Sequence, residues 1–169
     1  MKPFRKILVP VDFSPHSEQA VRIAADLARR YAGSLGIVYV YEPLTYSVPE
    51  GYMLLSREQL DDIFASFRRQ LDAMKALAEA NGAERVETQL LEGPAAEMIW
   101  AIAEEKQFDL IVMGTHGRRG LRHLLLGSVA ERVARLAPCP VLTVKAPNPA
   151  ERQGSSHTHN MGQQEEHHS

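Results

Sequence analysis

An open α/β fold, with a five-stranded parallel sheet and helices on both faces, is what this chain predicts. Three observations carry it. Short apolar, β-branched runs alternate with segments of helical periodicity from Lys6 to Val144. Strands that alternate with helices pair in parallel through right-handed crossovers, which places helices on both sheet faces. Capping and breaking residues stand between the runs. Finally, a glycine-patterned loop directly follows one apolar run and directly precedes a helical one.

Lys6-Ile-Leu-Val-Pro-Val11 reads as a first strand buried on both faces, ending near Pro10, which costs a ladder hydrogen bond. Ser14-Pro15 supplies an N-cap and a proline for the first helical position. Ala20, Val21, Ala24, Leu27, Ala28 and Tyr31 then recur at helical spacing until Gly33. Ser34 to Tyr41 is a second buried strand. The connection Glu42 to Leu55 contains Pro43, Pro49 and Gly51 and has no clear periodicity.

Ser56 with Gln59 forms a capping-box pattern. The helix that follows gathers Leu60, Ile63, Phe64, Phe67, Leu71, Met74, Leu77 and Ala78 on one face and ends near Asn81-Gly82. Arg85 to Leu91 alternates as a strand with one partly wet face. Pro94 to Glu105 repeats helical spacing with Met98, Ile99 and Ile102. Leu110 to Met113 is the fourth strand, Ser128 to Leu136 the fourth helix and Val141 to Val144 the fifth strand. Residues 1–147 are read as one domain. From Asn148 to Ser169 the chain is polar, and such a tail is expected to stay disordered.

Bulk properties narrow the function. A chain of 169 residues is long enough for one well-buried core. A net charge of −2 provides no footprint for nucleic acid. No run approaches the roughly 18 apolar residues that span a bilayer. Pro10 and Asp12 interrupt the first apolar run, so a secretory leader is not expected. The single cysteine, Cys139, excludes an internal disulfide and a cysteine-rich metal site. A soluble cytoplasmic protein is the expectation.

The chemistry is expected where ligands bind in open parallel sheets, beyond the carboxyl ends of strands where their order reverses. Gly114-Thr-His-Gly117, nine residues and then Gly127-Ser128 lie at such an end. Glycine accepts positive φ and lets a ligand approach the backbone. The first turn of the next helix offers unpaired N–H groups and a positive dipole end, a combination that cradles phosphate. The loop after strand one, Pro10-Val-Asp12-Phe-Ser14, would share the crevice if strands one and four are neighbours. Asp12 could then accept hydrogen bonds from a ribose or a base amino group.

These residues resemble the universal stress protein family, in its ATP-binding branch. The family pattern is Gly, two residues, Gly, nine residues, Gly, then Ser or Thr, and Gly114, Gly117, Gly127 and Ser128 satisfy it. The opening Lys6-Ile-Leu-Val-Pro-Val-Asp-Phe-Ser14 and the segment Pro138-Cys-Pro-Val141 are similar to the family's first strand and its entry to the last. The likeness runs from about Phe4 to Lys145. It implies a Rossmann-like sheet ordered 3-2-1-4-5. It also implies ATP, with Mg²⁺, as the ligand. By that likeness Pro10, Val11 and Asp12 belong to the first loop, with Asp12 beside adenine and ribose and Val11 and Val40 lining the base pocket. Met113 and Gly114 would border the ribose, and Gly117, Gly127, Ser128 and Val129 would contact phosphates. A role in stress response and a homodimer are implied too. Pairing Val141 to Val144 across two chains would cover an exposed edge strand.

A plain strand-to-helix turn needs one glycine, and four matched positions with a cap serine exceed that need. Asp12 taken alone is equally explained as a turn residue. Arg118, Arg119, Arg122 and His123 lie inside the glycine loop, where basic residues are usually solvated, so one at most is expected to matter. Nothing in the sequence supplies a positioned partner for His16 or His116, so both are read as surface histidines. Cys139 between prolines is read as a small buried side chain. His157, His159, His167 and His168 lack the carboxylate framework of a metal site. No catalytic residue and no metal ligand are assigned.

Two other functions stay open. A slow ATP hydrolase or nucleotidyl transferase is one, although a Walker A loop and a dinucleotide fingerprint are both absent. The other is an interaction protein that binds no nucleotide, which the intact glycine pattern argues against.

Overall fold

The computed structural model describes residues 4–42, 46–48, 51–53, 56–115 and 127–145. The sequence readings on Gly117, on His116 and the basic residues 118–123, and on the tail lie outside the described residues. Among the described residues eleven elements follow in order: β1 (Lys6–Val11), α1 (Pro15–Tyr31), β2 (Ser34–Tyr41), β3 (Tyr46–Val48), β4 (Gly51–Met53), α2 (Arg57–Ala80), β5 (Val86–Glu92), α3 (Ala95–Glu105), β6 (Leu110–Gly114), α4 (Ser128–Leu136) and β7 (Val141–Val144).

The main sheet has the order β5-β2-β1-β6-β7, and every neighbouring pair is parallel. With its five strands counted in chain order this is 3-2-1-4-5, as expected. Alternate side chains of each strand serve opposite faces. Ile7, Val9 and Val11 of β1 join α1 and α2 in one core, with Leu35, Ile37 and Val112. Leu8 joins Val38, Ile111 and Met113 beneath α3 and α4 in the other. Burial on both faces is why these strands read as continuous apolar runs rather than as alternation.

The helix signals act as the sequence suggested. Ser14 caps α1 by accepting from the Ser17 N–H at 3.3 Å. At Ser56 both arms of a capping box are made, with Gln59 N–H donating to Ser56 Oγ at 3.2 Å and Ser56 N–H to Gln59 Oε1 at 2.9 Å. The helix α1 ends before Gly33, at its cap Ala32. Ala32 takes the left-handed conformation, with φ of 50°. A Cβ on Gly33 would lie 3.0 Å from the carbonyl oxygens of both Phe4 and Arg5. Glycine is there for space.

Two differences from the sequence reading concern position. The aperiodic connection Glu42 to Leu55 holds an antiparallel pair, β3 with β4, in the register Tyr46↔Met53 and Val48↔Gly51. Strands of three residues are too short to display alternation. The fourth large strand extends one residue further than read, so Gly114 closes β6 and pairs with Val144 of β7.

Candidate functional site at the carboxyl ends of β1 and β6

β1 is the central strand. It pairs with β2 through Lys6↔Ser34 to Val11↔Tyr39 and with β6 through Ile7↔Leu110 and Leu8↔Ile111. From β1 the chain turns to β2 on one side, whereas β6 and β7 are added on the other. The order therefore reverses between β1 and β6, which opens a crevice at their carboxyl ends.

The loop after β1 is tied to itself. Asp12 Oδ1 accepts from Ser14 N–H at 3.1 Å and from Ser14 Oγ–H at 2.6 Å. Ser14 is buried and its hydroxyl oxygen caps α1, while Ser17 Oγ–H donates to the Ser14 carbonyl at 3.0 Å. Asp12 is partly exposed.

The loop after β6 approaches it closely. A Cβ on Gly114 would sit 2.9 Å from His16 Cβ and 3.1 Å from the His16 carbonyl carbon. The first glycine of the motif thus lets the end of β6 lie against the first turn of α1. Among the described glycines, positive φ occurs at Gly82 and Gly93 only. Gly114 is needed for close approach, as Gly33 is.

Thr115 organises the rest. It is buried, its N–H donates to the Val144 carbonyl at 2.8 Å, and its hydroxyl donates to the same oxygen at 3.3 Å. Its own carbonyl accepts from Gly127 N–H at 2.7 Å. That bond draws together the two described ends of the glycine loop and sets the start of α4 beside the end of β6. The sequence reading passed over Thr115; a hydroxyl residue directly after a buried strand was the available signal.

α4 begins with Gly127 at its N-cap, which supplies no side-chain hydrogen bond, as Pro94 supplies none to α3. Capping serines supply one in α1 and α2. Ser128 is exposed and Val129 is 38% exposed. The residues transferred to the base pocket do not all share a face. Val40 packs against the α3/α4 core, where Met113 is buried. Pro10 is buried and, by strand alternation, shares the face of Leu8. Val11 is buried in the α1/α2 core, so its side chain points to the other layer.

The opposite end of the sheet is different. Phe4, Arg5, Phe108, Asp109 and the Pro138–Pro140 segment line an open cavity of about 590 Å³ there. Cys139 in this wall is partly buried. Burial first, and the Asp109 carboxylate second, push its thiol above the ordinary value. A thiol held protonated is a poor nucleophile. Among the described residues no three His, Cys, Asp or Glu side chains group as a metal site, and no helix is long and apolar enough to cross a membrane.

The model of the "Universal stress protein family" matches residues 3–145. The chain belongs to that family. A universal stress protein of Methanocaldococcus jannaschii is 40% identical over 146 residues, which cover 85% of this chain and 84% of that one. The solved universal stress protein UspA from Lactobacillus plantarum superposes with a TM-score of 0.71 at 26% identity, covering 85% of this chain and 99% of that chain. A universal stress protein solved in complex with cAMP superposes with a TM-score of 0.68 at 26% identity, covering 86% and 100%. The sheet order of this universal stress protein and the crevice at its switch point thus occur in a fold with a nucleotide-bound relative.

Proposed function

We propose that this universal stress protein is an ATP-binding regulatory module of the cytoplasm, whose assembly or partner contacts respond to the bound nucleotide during stress. The single observation that carries the reading is that the start of α4, whose N-cap Gly127 supplies no side-chain bond, is tied through Thr115 to the end of β6, where Gly114 lies against the first turn of α1. Donors left without a side-chain cap at a positive dipole end favour phosphate. The cAMP-bound relative is further support.

In this reading Asp12 meets the ribose and the base edge, and Pro10, Val40 and Met113 border the base and sugar. Val11 contributes through its backbone, because its side chain is committed to the α1/α2 core. Gly114 borders the ribose, and Gly117, Gly127, Ser128 and Val129 surround the triphosphate, with Mg²⁺ neutralising its charge. The site holds a nucleotide without a designed catalytic group.

Calorimetry on nucleotide-stripped protein with Mg²⁺ and ATP tests this directly. The expected dissociation constant is near micromolar, about −8 kcal/mol, and Gly127→Val should abolish binding with the fold intact. Wild-type affinity in that variant would remove the phosphates from the start of α4. No heat from the wild type, with a melting curve unmoved by ATP, would favour the interaction protein.

A homodimer through β7 belongs to the same proposal. β7 is an edge strand, and Leu142 on it is 40% exposed. Exposed edges are covered in native proteins, and a second copy would cover this one. Leu142→Lys should shift sedimentation from dimer to monomer; a wild-type monomer at high concentration would refute the contact.

A further inference from the structure

Three non-glycine residues among those described have positive φ: Phe13 at 63°, Ala32 at 50° and Gln107 at 53°. Ala32 directly follows α1 and Gln107 follows the C-cap Lys106 of α3, positions where a left-handed residue ends a helix. Phe13 ends nothing. It lies between Asp12 and the N-cap Ser14, and a bulky side chain disfavours this backbone region. Its surroundings must hold it there.

The ring is where the hold lies. Its centroid is 4.5 Å from that of Tyr39, with the planes tilted by 44°. Tyr39 in turn meets Phe67 of α2 edge-on at 4.9 Å. Phe67 is 5.8 Å from Tyr41, whose hydroxyl donates to Glu92 Oε2 at 2.8 Å. Phe13 also packs against the α1/α2 core. An aromatic chain therefore runs from the loop after β1, across the end of β2, to α2 and the end of β5. On its backbone side the same residue sets the turn in which Asp12 Oδ1 accepts from Ser14.

We propose that Phe13 is the positioning residue of the nucleotide loop: its ring, stacked on Tyr39, keeps residue 13 left-handed and so aims Asp12 into the crevice. This rests on the nucleotide reading above. It makes the presentation of Asp12 depend on Phe67 of α2, a helix that contributes no ligand contact in that reading. Affinity then responds to how α2 packs.

The test uses the full chain as wild type, Phe13→Ala, Phe13→Tyr, Asp12→Ala and the Phe13→Ala/Asp12→Ala double variant. Binding of Mg²⁺-ATP is read by calorimetry, and exchange of the Ser14 amide is read by NMR without nucleotide. Phe13→Ala should weaken ATP about tenfold and Phe13→Tyr should keep affinity within about twofold, while in the Asp12→Ala background Phe13→Ala should cost less than about twofold, since groups acting as one unit are not additive. An undiminished tenfold loss in that background would overturn the proposal, because the ring would then act independently of Asp12. The Ser14 amide should exchange about tenfold faster in Phe13→Ala as the turn opens locally. Unchanged exchange at Ser14 would overturn the positioning role whatever ATP does. A faster Ser14 amide in a protein that binds no ATP would support the hold on the turn and remove only the nucleotide reading.

Discussion

Asp12 and Asp109 sit at opposite ends of the same sheet and both accept from backbone N–H groups, yet their reach differs. Asp109 binds the Arg5 N–H at 2.8 Å and the Lys6 N–H at 3.1 Å, and its own N–H donates to the Lys6 carbonyl at 2.9 Å. These bonds join the starts of β1 and β6 across more than a hundred residues of chain. Lys6 adds another, its ammonium donating to the Lys106 carbonyl at 2.5 Å while it lies over the Phe108 ring. Asp12 Oδ1 accepts from Ser14, two residues further along the chain. At the amino end the polar groups close the fold. At the carboxyl end Asp12 shapes a loop and Thr115 ties β6 to β7, while the N-cap of α4 is a glycine that supplies no side-chain bond.

The largest effect that separates the two ends is on stability. Asp109→Ala strands two backbone donors at a strand start. It should cost about 2 kcal/mol, or roughly 4–8 °C in Tm, because hydrogen bonds to a carboxylate exceed neutral ones but these are partly exposed. ATP affinity should be unchanged. Asp12→Ala should do the converse, lowering ATP affinity about tenfold or more while Tm falls by only a degree or two, since Ser14 still caps α1. Thermal melts and calorimetry on both variants decide it. A loss of affinity in Asp109→Ala matching that in Asp12→Ala would erase the distinction between the ends.

How far this division can be read from sequence depends on the range of the interaction. Apolar runs, the Ser14 cap and the Ser56–Gln59 box are local, and they are in the chain as written. The glycine spacing located Gly114, Gly127 and Ser128. It did not reveal why Gly114 must be glycine, because the His16 Cβ that would crowd it comes from another element. Phe13 was invisible for a related reason. Its left-handed backbone runs against its side-chain type, and the Tyr39 ring it packs on comes from another element. Val11 and Val40 look equivalent at neighbouring strand ends, yet strand pleating sends them to opposite cores. The β3–β4 pair left no periodic signal at all.

The smallest effect belongs to Cys139, and it sharpens the view of the amino end as structural. Burial and the Asp109 carboxylate both favour the neutral thiol, so its pKa in the folded chain lies above the ordinary 9.0. On raising the pH, the unfolded chain therefore releases this proton first. Stability conferred by the protonated thiol is fully present below the unfolded pKa and falls as pH climbs from there through the folded one. The side chain is partly exposed, so the change should stay small, about 1 kcal/mol or less. Tyr41 is shifted upward too, by burial and by Glu92, so the wild-type slope contains both groups. Cys139→Ala isolates the thiol. Urea melts at pH 7 and pH 10 should show a slightly shallower alkaline loss in Cys139→Ala than in wild type, and alkylation of the native thiol at pH 8 should be slower than in urea. Native alkylation as fast as in urea would mean a reactive thiolate in the cavity wall, and the amino end would then carry chemistry of its own.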